Sequence, residues 1–197
     1  MNQKVEKESR AIIVLHEIYG INEFIDGQCQ DFRNAGFDVF CPNIIDRPPF
    51  SYEKFEEAYA YFRKNIGFEV YKKVSAFVSK LKQKYDKVFI IGFSVGATIA
   101  WRCCENPLCS GITSCYGSRI RDYTNLIPAC PVLLLFAKED SFDVRAVTCQ
   151  LQNKPHLSIM EFDAEHGFLD SLSKHFDFQQ SKRAEETIAH FMKECTK

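Results

Sequence analysis

Apolar positions along this chain fall into short continuous runs separated by amphipathic stretches. Residues Ala11 to Leu15 form a largely β-branched run, as a strand buried on both faces of a parallel sheet requires. From Asn22 to Asn34 the apolar residues Phe24, Ile25 and Phe32 recur at helical spacing, and Ala35-Gly36 closes the segment. A second short strand, Phe37 to Cys41, stops at Pro42, and Pro42, Pro48 and Pro49 make 42–51 a loop. Helices are predicted over 52–63 and 69–85. In the second, Val70, Val74, Phe77, Val78 and Leu81 mark one side and the lysines fall elsewhere. Further strands are predicted at 87–91, 111–115, 131–136 and 157–162, and helices at 97–104, 142–152 and 181–194, the last with Ser181 as its N-cap. Strands and helices alternate and the strands are apolar. The expected architecture is therefore α/β, with a mainly parallel sheet covered by helices on both faces.

Composition narrows the function classes. The chain has 197 residues, 46% of them hydrophobic, which suits one compact domain over residues 1–197 and is too little for two large ones. With 25 Lys+Arg against 26 Asp+Glu, the net charge of −1 gives no basic excess for nucleic acid. Residues 1–8 are polar, and runs such as 12–15 and 132–137 fall far short of the roughly 20 residues that span a bilayer. The expectation is a soluble, cytoplasmic protein with no membrane partner. Nine cysteines at irregular spacing in a chain without an export signal suggest reduced thiols. Cys103, Cys104 and Cys109 lack a CxxC repeat and a neighbouring histidine, so no metal site is expected.

Candidate chemistry gathers at the carboxyl ends of the predicted strands, where open parallel sheets bind ligands. Ser94 lies in Gly92-Phe93-Ser94-Val95-Gly96, between an apolar strand and a helix rich in small residues. Such a tight turn holds a serine in a strained conformation with its oxygen exposed and the next amide, that of Val95, directed into the same space. Asp140 follows the strongest strand by a few residues and is suited to orient an imidazole. Glu139 and Asp143 are its rivals, and a capping role near Ser141 is the plainer reading of Asp140 itself. His166, beside Gly167 just past the last strand, is the expected general base; His16, His156, His175 and His190 read as surface or packing residues. The order Ser, Asp, His along the chain is that of the α/β-hydrolases. In His16-Glu17-Ile18-Tyr19-Gly20, the loop after the first strand, the Ile18 amide is the expected second oxyanion donor. Glu17 would sit close to the nucleophile, where a negative charge is a cost that calls for a partner or a role.

These stretches together resemble the dienelactone hydrolase family. The resemblance lies in His16 to Asn22, Cys41-Pro42-Asn43-Ile44, Gly92 to Ala97, Tyr116-Gly117, Asp140 and His166-Gly167-Phe168, in order along nearly the whole chain. It implies an α/β-hydrolase fold of eight mainly parallel strands, reduced here to six or seven because the chain begins almost at the central strand. It also implies contact between Glu17 and the resting nucleophile, and oxyanion amides from Ile18 and Val95. Two departures matter. Ser94 stands where well-known members carry cysteine. Asp170, and the segment around Glu56-Glu57, lack the arginines that the family's prototype uses to hold its dianionic lactone.

The expected activity is hydrolysis of a small carboxylic ester, lactone or thioester through an acyl-Ser94 intermediate, with no metal or organic cofactor. A small-molecule substrate is the expected partner, to a monomer or dimer. Tyr19, Phe50, Tyr52, Tyr116 and Phe168 are candidates for the pocket rim, although most of the aromatics are expected in the core. A thioesterase or peptidase on the same scaffold, or a binding protein without catalysis, are the alternatives.

Overall fold

The computed structural model describes residues 9–197. Six strands form one sheet in the order β2-β1-β3-β4-β5-β6, every neighbouring pair parallel. They are β1 (Arg10–Leu15), β2 (Asp38–Phe40), β3 (Lys87–Phe93), β4 (Gly111–Cys115), β5 (Val132–Glu139) and β6 (Leu157–Glu165). The helices are α1 (Glu23–Asn34), α2 (Phe55–Asn65), α3 (Tyr71–Leu81), α4 (Val95–Arg102), α5 (Val144–Leu151) and α6 (Phe178–Glu194), with 3₁₀ turns at Tyr52–Lys54, Phe68–Val70 and Ser118–Tyr123.

Alternate residues of each central strand feed two separate cores, and this explains why the strands read as unbroken apolar runs. Ala11, Ile13, Leu15, Val88, Ile90 and Leu134 face α3, α4 and α5, with Trp101 buried among them. Ile12, Val14, Phe89, Ile91, Phe93 and Leu135 face α1 and α6. Each such side chain removed from water contributes about 2 kcal/mol before the entropy cost of ordering it.

The chain leaves β1 for β2 on one side, then crosses to β3 on the other, so the order reverses between β1 and β3. The carboxyl ends of β1 and β3, at this switch point, are where open parallel sheets place their ligands.

Two local expectations change. The last helix starts earlier than Ser181, because Asp177 is the N-cap and accepts from the Gln180 amide; Ser181 lies inside the helix, buried, and bonds Glu185. Asp143, rather than Asp140, caps α5 through the Ala146 amide, which leaves Asp140 free for another partner. All nine cysteines are free thiols, and six of them are buried. Among the described residues no helix is long and apolar enough to cross a membrane.

Candidate active site

Ser94 sits between β3 and α4 with φ 53° and ψ −112°, a left-handed backbone that costs a non-glycine residue on the order of 1–3 kcal/mol. Close approach of backbone explains the flanking glycines. A Cβ on Gly92 would lie 2.2 Å from the Gly96 carbonyl oxygen, and one on Gly96 would lie 2.3 Å from that of Leu15. The turn is thus wedged against the end of β1. Gly96→Ala is expected to cost about 2 kcal/mol, because only backbone can yield; urea denaturation checks this, and an unchanged midpoint would contradict the wedge.

The strained turn presents the Ser94 hydroxyl to His166, whose Nε2 lies 3.0 Å from Oγ. The other ring nitrogen, Nδ1, lies 2.7 Å from Asp140 Oδ2. A carboxylate can only accept, so Nδ1 carries the proton and Nε2 is left to accept from the hydroxyl. Asp140 Oδ1 accepts from the Ser141 amide and hydroxyl, so both carboxylate oxygens are engaged. Burial works against ionisation of Asp140, yet the hydrogen bond and charge of His166 outweigh it and hold the carboxyl below its ordinary range. Burial likewise works to lower the pKa of His166, but the bond to Asp140, its charge and that of Glu17 raise it above the usual 6.5. The Tyr116 ring packs edge-on against the imidazole, at 5.0 Å between centroids. Of the rivals to Asp140, Glu139 is exposed and Asp143 is used as a cap.

Opposite the serine, the loop after β1 is held in shape by His16. The Ile44 amide donates to His16 Nε2 at 2.9 Å, so the ring is neutral there and its Nδ1 donates to the Glu17 carbonyl oxygen at 2.6 Å. Burial lowers the His16 pKa, in keeping with that neutral state. The same carbonyl accepts from the Gly20 amide, and Gly20, at φ +93°, closes the turn. His16 is therefore a buried positioning residue, a role with no local sequence signal. Among the described residues neither the Ile18 amide nor the Val95 amide donates a hydrogen bond, though both residues are buried. Val95 opens α4, where the helix dipole favours a negative charge.

Glu17 is buried at 5% exposure, and its Oε1 has no hydrogen-bond partner. Burial pushes its pKa up to about 7, with the His166 charge opposing and the Asp170 charge reinforcing. No hydrogen bond joins Glu17 to Ser94, contrary to the contact that the resemblance implies; the hydroxyl is taken up by His166 instead. Tyr116 faces Glu17, and burial together with the carboxyl's charge raises the phenol's pKa.

The five aromatics separate by depth. Tyr19 and Tyr52 are half-buried and pair with centroids 4.5 Å apart. Phe50, Tyr116 and Phe168 are buried, so they underlie the site rather than rim it. Phe168 stacks on Phe162, and Phe50 lies under the Arg47 guanidinium.

A parallel sheet with a strained serine elbow, a histidine and an acid in this chain order defines the α/β-hydrolase class. The dienelactone hydrolase family profile matches residues 1–196, and the chain belongs to that family. It is 40% identical over 171 residues to the uncharacterized protein YczH of Bacillus subtilis (strain 168), covering 84% of each chain. Against carboxymethylenebutenolidase 1 of Cupriavidus pinatubonensis it is 22% identical over 182 residues, covering 84% of this chain and 78% of the relative. A proposed dienelactone hydrolase from Klebsiella pneumoniae subsp. pneumoniae MGH 78578 superposes with a TM-score of 0.77 at 16% identity, over 97% of this chain and 89% of that one. The protein is thus a hydrolase-family member with the α/β-hydrolase fold, its sheet reduced to six strands among the described residues.

Proposed function

We propose that this chain hydrolyses a small carboxylic ester, lactone or thioester through an acyl-Ser94 intermediate. The observation that carries the reading is the hydrogen-bonded series Ser94–His166–Asp140; the Ile18 and Val95 amides, which donate no other hydrogen bond, are the oxyanion donors of the proposed mechanism. His166 Nε2 takes the hydroxyl proton as Ser94 Oγ attacks the carbonyl carbon. The negative charge that develops on the carbonyl oxygen is received by the two amides. On collapse the bond to the leaving oxygen or sulfur breaks, and that atom takes the proton from His166. Water then repeats the sequence: it yields a proton to His166, attacks the acyl carbon and releases the acid, while Oγ recovers its proton. Asp140 keeps the imidazole in the required tautomer and stabilises its protonated form. No step calls on a metal or organic cofactor, and the small-molecule substrate is the only partner the reaction needs.

The test is hydrolysis of p-nitrophenyl acetate and butyrate, with fluorophosphonate labelling of the same samples. Wild type is expected to turn over and label, and Ser94→Ala to do neither. Turnover that survives in Ser94→Ala would remove the acyl-serine mechanism.

A further inference from the structure

The Asn22 side chain begins a directional hydrogen-bond relay that ends on Asp170. Asn22 Oδ1 accepts from the Ile25 amide as the N-cap of α1, which fixes the orientation of its amide group. Its Nδ2 can then only donate, and does so to Tyr52 Oη at 2.7 Å. The Tyr52 hydroxyl proton consequently goes to Asp170 Oδ2. Asp170 Oδ1 accepts from the Leu172 amide at 2.9 Å. Both Asp170 oxygens face donors, as a carboxylate requires, and the residue is 1% exposed. Among the described residues no Lys, Arg or His forms an ion pair with it. The arginines that follow β4 are engaged elsewhere: Arg119 pairs with Asp122, and Arg121 donates to the Ser118 carbonyl.

This charge is tied to the loop after β1: Tyr52, which donates to Asp170, pairs with Tyr19 of that loop at 4.5 Å between ring centroids. The relay joins the start of α1, just past the oxyanion loop, to the 3₁₀ turn at Tyr52 and to the loop behind His166. Burial and the Asp170 charge both work to raise Glu17 and Tyr19, and Tyr52 and Tyr116 respond to the same charge. Glu17 adds a second buried carboxyl with an unpartnered oxygen. The cationic group acting on Glu17 is His166. Burial raises the pKa of the Asp170 carboxyl, while the hydrogen bonds from Tyr52 and from the Leu172 and Ser173 amides favour its ionised form; a group bound there meets a low-dielectric wall with negative charge behind it.

We infer that the site is selective for esters whose acyl part is cationic or uncharged and rejects anionic acyl groups, with Asp170 as the specificity-determining residue. The inference rests on the proposed ester hydrolysis and names its substrate class.

Three p-nitrophenyl esters of similar length test it, at low salt and about pH 8: that of γ-trimethylammoniobutyric acid, its neutral tert-butyl isostere, and the monoester of glutaric acid. Wild type is expected to favour the cationic over the anionic ester by at least about tenfold in kcat/KM, with the neutral ester between. Asp170→Asn should lower that ratio by about tenfold, mostly through KM. Tyr52→Phe breaks the same hydrogen bond but keeps the charge, so it should leave the ratio high. An equal fall in both variants would assign the effect to loop position and overturn the inference, as would a wild type indifferent to charge. Calorimetric binding of the intact esters to Ser94→Ala reads the same preference without turnover. A charge preference there, with no hydrolysis by wild type, would remove the proposed function while keeping the selectivity. Equal binding of the cationic and anionic esters would remove the selectivity alone, whether or not wild type hydrolyses them.

Discussion

Ser94→Ala, His166→Ala and the double variant are expected to fall to one common residual rate. Each single change should lower kcat by at least about 10⁴-fold, and the double should sit within about tenfold of either single. The reason is geometric. Oγ lies 3.0 Å from Nε2, and neither group has a use in the proposed first step without the other. An alanine at 94 leaves a base with no proton to take; an alanine at 166 leaves a hydroxyl whose own acidity is too weak for attack. Asp140→Asn should cost about 10³–10⁴-fold, because an amide nitrogen facing Nδ1 favours the tautomer with its proton on Nε2, aimed at Ser94. Initial rates on p-nitrophenyl butyrate measure all four variants. If the double variant instead lost the product of the two single losses, Ser94 and His166 would be acting independently and the acyl-transfer reading would fail.

The parts of this site that were legible in the sequence are those fixed by local geometry. Gly92-Phe93-Ser94-Val95-Gly96 can be read because the elbow needs small residues two positions to either side, and the contacts of Gly92 and Gly96 show why. Asp140 could be located because it follows a strand that an apolar run announces, and His166 because it stands beside Gly167 shortly after the last predicted strand. The two central cores were legible for the same reason, since strands buried on both faces leave continuous runs. Edge strand β6 was less so: its burial is mixed, and it continues past Phe162 through a bulge opposite Ala137 and Glu139 that leaves no pattern. Residues 1–8, read as lacking an export signal, lie outside the described residues. The start of α6 is read at Ser181 from the sequence, and only the backbone shows that Asp177, one turn earlier, serves the Gln180 amide instead. The Asn22–Tyr52–Asp170 relay and the His16–Ile44 clasp were invisible. They join positions up to 118 residues apart through single hydrogen bonds, and no periodicity encodes those. The one available signal was Asp170 standing where the resemblance leads one to expect an arginine.

Glu17→Gln should stabilise the protein at neutral and alkaline pH by about 3 kcal/mol and leave it nearly unchanged near pH 4. The sign follows from linkage. Burial lifts the Glu17 carboxyl from 4.5 to about 7, so the folded state holds this proton more tightly than the unfolded chain does. The stability tied to that proton is fully present below about pH 4.5 and is lost as pH rises towards 7, after which the penalty is constant. The distance from 4.5 to about 7, at about 1.4 kcal/mol for each tenfold in proton affinity, sets the size. Glutamine fills the same space without a charge to desolvate, so its advantage should grow across that window and then level off, as urea melts at about pH 4, 6 and 8 will show. Activity should move as well. The Glu17 charge is one cause of the raised His166 pKa, and the base form of His166 exists only above that value. In Glu17→Gln the acid limb of the kcat/KM profile should therefore shift to lower pH. A variant no more stable than wild type at about pH 8, with an unmoved acid limb, would mean that Glu17 is already neutral or is paired in solution. A gain in stability accompanied by the shift would identify Glu17 as a charge held in the site at a cost to the fold and felt by the base that serves Ser94.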